Sequence, residues 1–236
     1  TRGEAVGQVN GLAVIKAGPL TYGFPSRITA TVAPGAGGAI NIEREADLSG
    51  AIHTKAFYIL GGLLRELLQA PHPLVFEASI AFEQSYGGID GDSASGAEIV
   101  CLLSAHTGLP IRQGLAMTGA IDQKGNVLPI GAVTEKIEGF FDTCVDAGFN
   151  GGVQGVIIPR ANVEDLMLRR AVVEACEKGQ FNIYAVSSIG EAISLFFGRP
   201  SGLEGGHPYA EGTVLHAAVE AAHQLWVRAG GNGKTE

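Results

Sequence analysis

No stretch of the chain approaches the roughly 18 consecutive apolar residues of a membrane-spanning helix, so membrane insertion is not expected. The opening residues Thr1-Arg-Gly-Glu-Ala-Val lack both the basic start and the apolar run of a secretory signal, and a cytoplasmic setting is the expectation. Cysteine is scarce: Cys101, Cys144 and Cys176 show neither a CxxC pair nor the Cys/His spacing of a zinc site. They read as buried free thiols, and no metal site is expected. Basic residues are few, 16 Lys and Arg against 24 Asp and Glu, and a formal net charge of −8 argues against a surface that follows phosphate backbones. Nucleic acid is therefore not an expected partner. The stretch Gly230-Gly-Asn-Gly-Lys-Thr235 invites comparison with a phosphate-binding loop, but Arg228 stands where the first glycine belongs and no strand precedes it. No cofactor and no ATPase of the chain's own are expected.

What the chain has in quantity is glycine, 35 of 236 residues, and an apolar content of 46%. The length suffices for one sizeable core, and the glycines punctuate many short elements. Val6 to Ile15, Arg27 to Val32 and Ala39 to Glu43 are β-branched and bounded by turn residues, which reads as a meander of strands. Apolar spacing predicts a helix over Ala51 to Gln69, a strand over Leu74 to Gln84, and a helix ending at Thr107 that a Ser95/Glu98 capping box would open. Strands at Leu115 to Asp122 and Val127 to Ile130 flank a tight turn, and a helix from Val133 to Ala147 follows. Val156 to Ile158 reads as a strand, Asn162 as the cap of a helix reaching Lys178, Phe181 to Val186 as a strand, and Ser188 with Glu191 as the cap of a helix to Phe197. The fold class is α/β (α+β), mixed sheets covered by helices, over residues 1–198. Residues 199–236 read as a Gly/Pro-rich linker, an appended carboxy-terminal helix and a flexible end.

Two segments carry residues suited to chemistry: Asp90-Gly-Asp-Ser-Ala-Ser-Gly-Ala-Glu98, and Met117-Thr-Gly119 with Val127-Leu-Pro-Ile-Gly131 and Glu135-Lys136. Small residues around Ser93, on a turn from strand to helix, allow a substrate backbone to approach and leave amides near the helix start for an oxyanion. A lone serine before a helix is more often a cap, but the Ser95/Glu98 pair supplies that function and releases Ser93 from it. A nucleophilic serine needs a base. Of the six histidines only His53 and His106 are candidates, and neither has a glycine-bounded carboxylate beside it in sequence to complete a triad. Lys136 is the other option. A lysine works as a base only if its pKa falls by about three units, and both a helix start and an apolar, water-excluding setting push it down.

Gly91-Asp-Ser-Ala-Ser95, Met117-Thr-Gly119, Val127-Leu-Pro-Ile-Gly131 and Glu135-Lys136, in this order, resemble the core of Lon proteases, and the interval of 43 residues from Ser93 to Lys136 agrees with that family's spacing. The likeness runs from Val6 to Phe197. It implies the Lon proteolytic fold, a Ser93/Lys136 dyad, a supporting hydroxyl from Thr118 and a homohexameric ring. Asp90 and Asp92 either position the lysine and gate the site or serve as turn residues. Asp92 before Ser93 resembles the archaeal and Lon-like branches. Phe82-Glu-Gln-Ser-Tyr86, Asn150-Gly-Gly-Val-Gln154 and Ile157-Ile-Pro159 resemble the stand-alone LonC-type group, in which proteolysis can proceed without ATP.

The expected activity is that of a serine endopeptidase acting on unfolded polypeptides, which would pair with a sheet edge near Ile80 to Tyr86. The alternative is a non-catalytic Lon-like domain for assembly or polymer binding, which would be expected to lack the serine or the lysine. A Ser/Lys hydrolase of the penicillin-binding kind would need lysine three residues after serine, where Gly96 stands.

Overall fold

The computed structural model describes residues 2–35, 38–85, 87–149 and 151–231, with only the backbone of 38–40. Strand β1 (Glu4–Ala5) leads into a long hairpin of β2 (Gln8–Ala17) and β3 (Leu20–Pro34), then β4 (Gly38–Asn41). Helices α1 (Ile42–Glu45) and α2 (Ala51–Leu68) precede β5 (Phe76–Phe82) and α3 (Ser95–Thr107). Short strands follow: β6 (Ile111–Arg112), β7 (Leu115–Met117), β8 (Ala120–Ile121) and β9 (Val127–Leu128). Then come α4 (Val133–Ala147), β10 (Gly155–Pro159), a 3-10 turn (Arg160–Asp165), α5 (Arg170–Glu177), β11 (Asn182–Val186), α6 (Ile189–Phe197) and α7 (Val214–Arg228).

Seven strands form one mixed sheet in the order β11-β10-β7-β2-β3-β5-β4. The right half, β2 with β7, β7 with β10 and β10 with β11, is parallel, whereas the hairpin and β3 with β5 are antiparallel. One face is covered by α2, α3, α6 and α7, whose Leu60, Leu64, Ile99, Leu103, Ile193 and Leu215 pack on Val9, Ile28 and Ile80. The other is covered by α4 and α5, with Ile137, Phe140, Phe141 and Val172 against Leu12, Val156 and Ile158. Alternation along β2 and β3 sends successive side chains to these two cores, so the hairpin is the common wall of both.

Several elements differ from expectation. Strand β7 stops at Met117 because Thr118 and Gly119 turn aside, the Gly119 amide donating to the Ser93 carbonyl at 2.8 Å. Asn162 caps no long helix. It is buried, accepts from the Ile130 amide at 2.9 Å and donates to the Ile130 carbonyl at 3.1 Å, so it clamps the loop before α4 while the chain around it forms only a 3-10 turn. The Ser188/Glu191 capping box is present as expected. The carboxy-terminal helix packs into the larger core through Val214, Leu215, Ala218 and Ala222, and the Tyr209 hydroxyl donates to the Leu67 carbonyl at 2.8 Å, because its apolar stripe faces α2 and α3. The phosphate-loop look-alike lies beyond Gly231, outside the described residues, as do Tyr86 and Asn150. Among the described residues no helix is long and apolar enough to cross a membrane.

Gly61, inside α2, has open space where a Cβ would stand. Gly61→Ala is therefore expected to raise stability by about 0.5–1 kcal/mol through the unfolded chain's lost freedom, read as a higher urea midpoint at unchanged slope.

Candidate active site

Ser93 sits on the turn between the loop at Asp90 and the start of α3, half-buried. The expected capping box is not formed. Ala94 occupies the cap position, the Ser95 amide donates to the Asp92 carbonyl at 3.1 Å, and the Gly96 amide donates to the Gly119 carbonyl at 3.1 Å. Backbone carbonyls therefore do the capping. The Ser95 hydroxyl staples the turn instead, donating to the Asp92 carbonyl at 2.8 Å and accepting from the Ile121 amide at 3.1 Å. A Cβ on Gly96 would meet the Met117 side chain at 2.4 Å, so only glycine lets α3 start this close to the end of β7. Of the amides near the helix start, those of Ser95 and Gly96 are thus already engaged.

The residues singled out in sequence converge. Lys136 Nζ donates to Ser93 Oγ at 2.9 Å and to Thr118 Oγ1 at 3.1 Å, and Thr118 Oγ1 donates to the Ser93 carbonyl at 3.4 Å. Thr118 is fully buried and Lys136 is 4% exposed. Lys136 is brought here by α4, which lies on β3 backbone to backbone: a Cβ on Gly23 would come 1.9 Å from the Glu135 carbonyl oxygen. Burial pushes the Lys136 amine down to about 8, against a partial opposing pull from the Asp92 carboxylate, and thus supplies the larger part of the effect expected of a base. Asp92 itself is exposed and acts on the amine through its field. Asp90 takes a structural part: its Oδ1 accepts from the amides of Ile52 and His53 at 3.2 and 3.3 Å, capping α2, whose own cap residue is Gly50.

A groove of about 1140 Å³ runs past this pair. Its lining includes Ala13, Ile15 and Phe24 of the hairpin, Phe82 at the end of β5 and Asp90 of the segment that follows it, and Ser93 and Lys136. Ile15 is 55% and Phe24 37% exposed, so the lining offers apolar area to an occupant. Of the edge expected at Ile80 to Tyr86, Ile80 itself is engaged, because β5 pairs there with β3 on one side and with β4 on the other; the β4 pairing reaches no further, and Tyr86 lies outside the described residues. Beyond Gly11, by contrast, β2 loses its partner β7, so the open edge in the groove belongs to the hairpin.

Sequence reading missed one group. His53, Glu98 and Glu43 are all buried behind the groove wall, with His53 Nε2 3.6 Å from Glu98 Oε1. His53 was set aside for want of a carboxylate beside it in sequence, and its partners come from other elements. His106 Nε2 donates to the Ala218 carbonyl at 2.9 Å, in a packing role between α3 and α7.

A three-layer α/β domain with a serine hydroxyl against a buried lysine amine has the build of a hydrolase domain. Residues 1–198 match the family described as the Lon protease (S16) C-terminal proteolytic domain, and the chain belongs to the Lon protease family. It is 46% identical over 197 residues to a Lon protease homologue of Escherichia coli K12, covering 83% of this chain and 33% of that protein. A Haemophilus influenzae homologue is 48% identical over 201 residues, 84% of this chain and 33% of the other. The archaeal Lon protease of Thermococcus kodakarensis is 33% identical over 205 residues, 83% of this chain and 28% of the other. The chain thus spans about a third of the length of these relatives.

Proposed function

We propose that this domain is a serine endopeptidase in which Lys136 takes the proton of Ser93 and the alkoxide attacks a peptide carbonyl. The observation that carries this reading is the 2.9 Å contact from Lys136 Nζ to Ser93 Oγ at a buried position that favours the neutral amine. Thr118 holds the amine in line through its hydroxyl, and Asp92 tunes it from the surface. The tetrahedral oxyanion is received by the amides of Asp92 and Ser93, since those of Gly91, Ser95 and Gly96 are engaged. Water then hydrolyses the acyl-enzyme. Unfolded polypeptide enters the groove in extended form and pairs with the open edge of β2, where main-chain bonds give affinity without demanding one sequence. Cleavage by this domain needs no ATP, the active assembly is a homohexameric ring, and the setting is cytoplasmic. Both groups stand in this chain at hydrogen-bond distance, which favours a peptidase over the non-catalytic alternative.

Ser93→Ala is expected to lower casein cleavage by about 10⁴-fold or more while leaving the circular dichroism spectrum and melting temperature unchanged. Substantial cleavage by the purified variant overturns the reading. Below pH 8 the rate should climb by up to about tenfold per unit as Lys136 loses its proton, measured as kcat/KM on a fluorogenic peptide.

A further inference from the structure

Glu43, His53 and Glu98 are 4%, 1% and 0% exposed and meet at the junction of α1, α2 and α3. Their polar atoms are under-supplied with hydrogens. Glu43 Oε1 accepts from the Phe82 amide at 2.7 Å, but Glu43 Oε2 and both oxygens of Glu98 have no hydrogen-bond partner. The Arg44 amide occupies Asn41 Oδ1 at 3.2 Å, which turns the Asn41 Nδ2 donor toward His53 Nε2, 3.2 Å away. Nε2 is then an acceptor, and a neutral ring carries its proton on Nδ1, the nitrogen left for the Gly91 carbonyl that acts on the ring. A Glu98 carboxylate would set its negative charge against the Nε2 lone pair at 3.6 Å, a repulsion that a protonated Glu98 removes. Burial and then the field of Glu43 favour that form, raising the Glu98 carboxyl to about 8.

These three residues are tied to everything that frames the groove. Glu43 holds the end of β5 where the wall begins, the His53 ring packs edge-on against Phe82 at 5.5 Å, and the His53 amide binds Asp90 where the wall ends. Glu98 rides on α3 little more than one turn past Ser93. Besides each other, the titratable groups facing the cluster are Asp90 from the wall and Cys101 from α3.

We propose that Glu43, His53 and Glu98 share a buried proton that holds the groove wall against the Ser93 turn, making Glu98 a positioning residue for the dyad. The inference rests on the peptidase reading for its kinetic consequence but not for its structural one. The test follows amide hydrogen exchange over residues 87–93, corrected for intrinsic rates, alongside peptide cleavage by the wild-type chain, Glu98→Leu and Glu98→Gln. Glu98→Leu, similar in volume and free of the unmet polar atoms, should melt no lower than wild type at pH 7. It should nonetheless exchange at least tenfold faster in 87–93 and lose at least tenfold in kcat. Glu98→Gln should recover most of both losses and keep its protection at pH 9, where the wild type loses protection and its rate turns down. Wild-type protection of 87–93 in Glu98→Leu overturns the proposal whether or not the chain cleaves peptide. If Glu98→Leu does not fold, equal protection of the wild type and Glu98→Gln at pH 9 overturns it, and a difference supports it. Exchange that responds in a wild-type chain without peptidase activity leaves the network standing and removes the peptidase reading.

Discussion

Lys136→Met is expected to abolish peptide cleavage and at the same time to make the folded chain more stable at pH 7. The loss follows from removing the amine that contacts Ser93 Oγ at 2.9 Å and should be about 10⁴-fold or more. The gain follows from the cost of burying the charged amine. The Lys136 pKa falls from 10.5 in the unfolded chain to about 8 in the folded one. Between those values the unfolded state holds the extra proton, so stability rises with pH through that window, and below pH 8 the full penalty is present. A thioether of similar length removes the penalty but gives up the bond to the Thr118 hydroxyl, leaving a net gain of about 1–2 kcal/mol. Thermal melts of wild type and variant at pH 7 and pH 10.5 check the sign: the variant should melt higher at the lower pH and lower at the higher, where the neutral amine keeps its bond to Thr118 without the charge penalty. A variant less stable than wild type at pH 7 would mean that the amine is solvated, and the account of Lys136 as a low-pKa base would fall with it.

Gly139→Ala should be nearly as damaging, although neither its position nor its size touches the reacting atoms. A Cβ there would stand 1.9 Å from the Gly23 carbonyl oxygen and 2.2 Å from its carbon, and backbone atoms cannot rotate out of the way. Helix α4 must then lift off β3 by an ångström or more. Lys136 lies one turn away on the same helix, so its amine leaves the 2.9 Å contact with Ser93. Misplacement on this scale costs about 100-fold in rate, and overpacking of this kind costs about 1–3 kcal/mol, which outweighs the roughly 1 kcal/mol that alanine gains over glycine in a helix. Gly61→Ala, with the same exchange of residues in α2, should move stability the other way, so the pair separates close backbone approach from helix propensity. Urea midpoints and peptide cleavage of the two variants decide it: a stable, active Gly139→Ala would show that α4 has slack against the hairpin.

The composition, the periodicity of α2, α4 and α6, and the ordered motifs around Ser93 and Lys136 were legible in the chain because each is a local property or a fixed interval. The helix from Val133 to Ala147 begins and ends as its spacing predicts, and the Ser188/Glu191 cap is a contact between neighbours. Other features depend on partners remote in sequence. Ser95 binds Ile121, Asn162 clamps Ile130, and the amides that start α3 are met by carbonyls that include that of Gly119, so a capping box written in sequence was displaced by a neighbouring strand end. The sheet edge open to a substrate depended on which strand β7 leaves unpaired at Gly11, which strand order alone decides. His53 looked isolated because Glu43 and Glu98 reach it from other helices. By itself, then, the sequence determined which side chains are available for chemistry and the helices that carry them. Only the tertiary structure decided that Lys136 is buried against Ser93 and that a second cluster of titratable groups stands behind the groove, because burial and the meeting of charges are properties of packed elements and not of the order of residues.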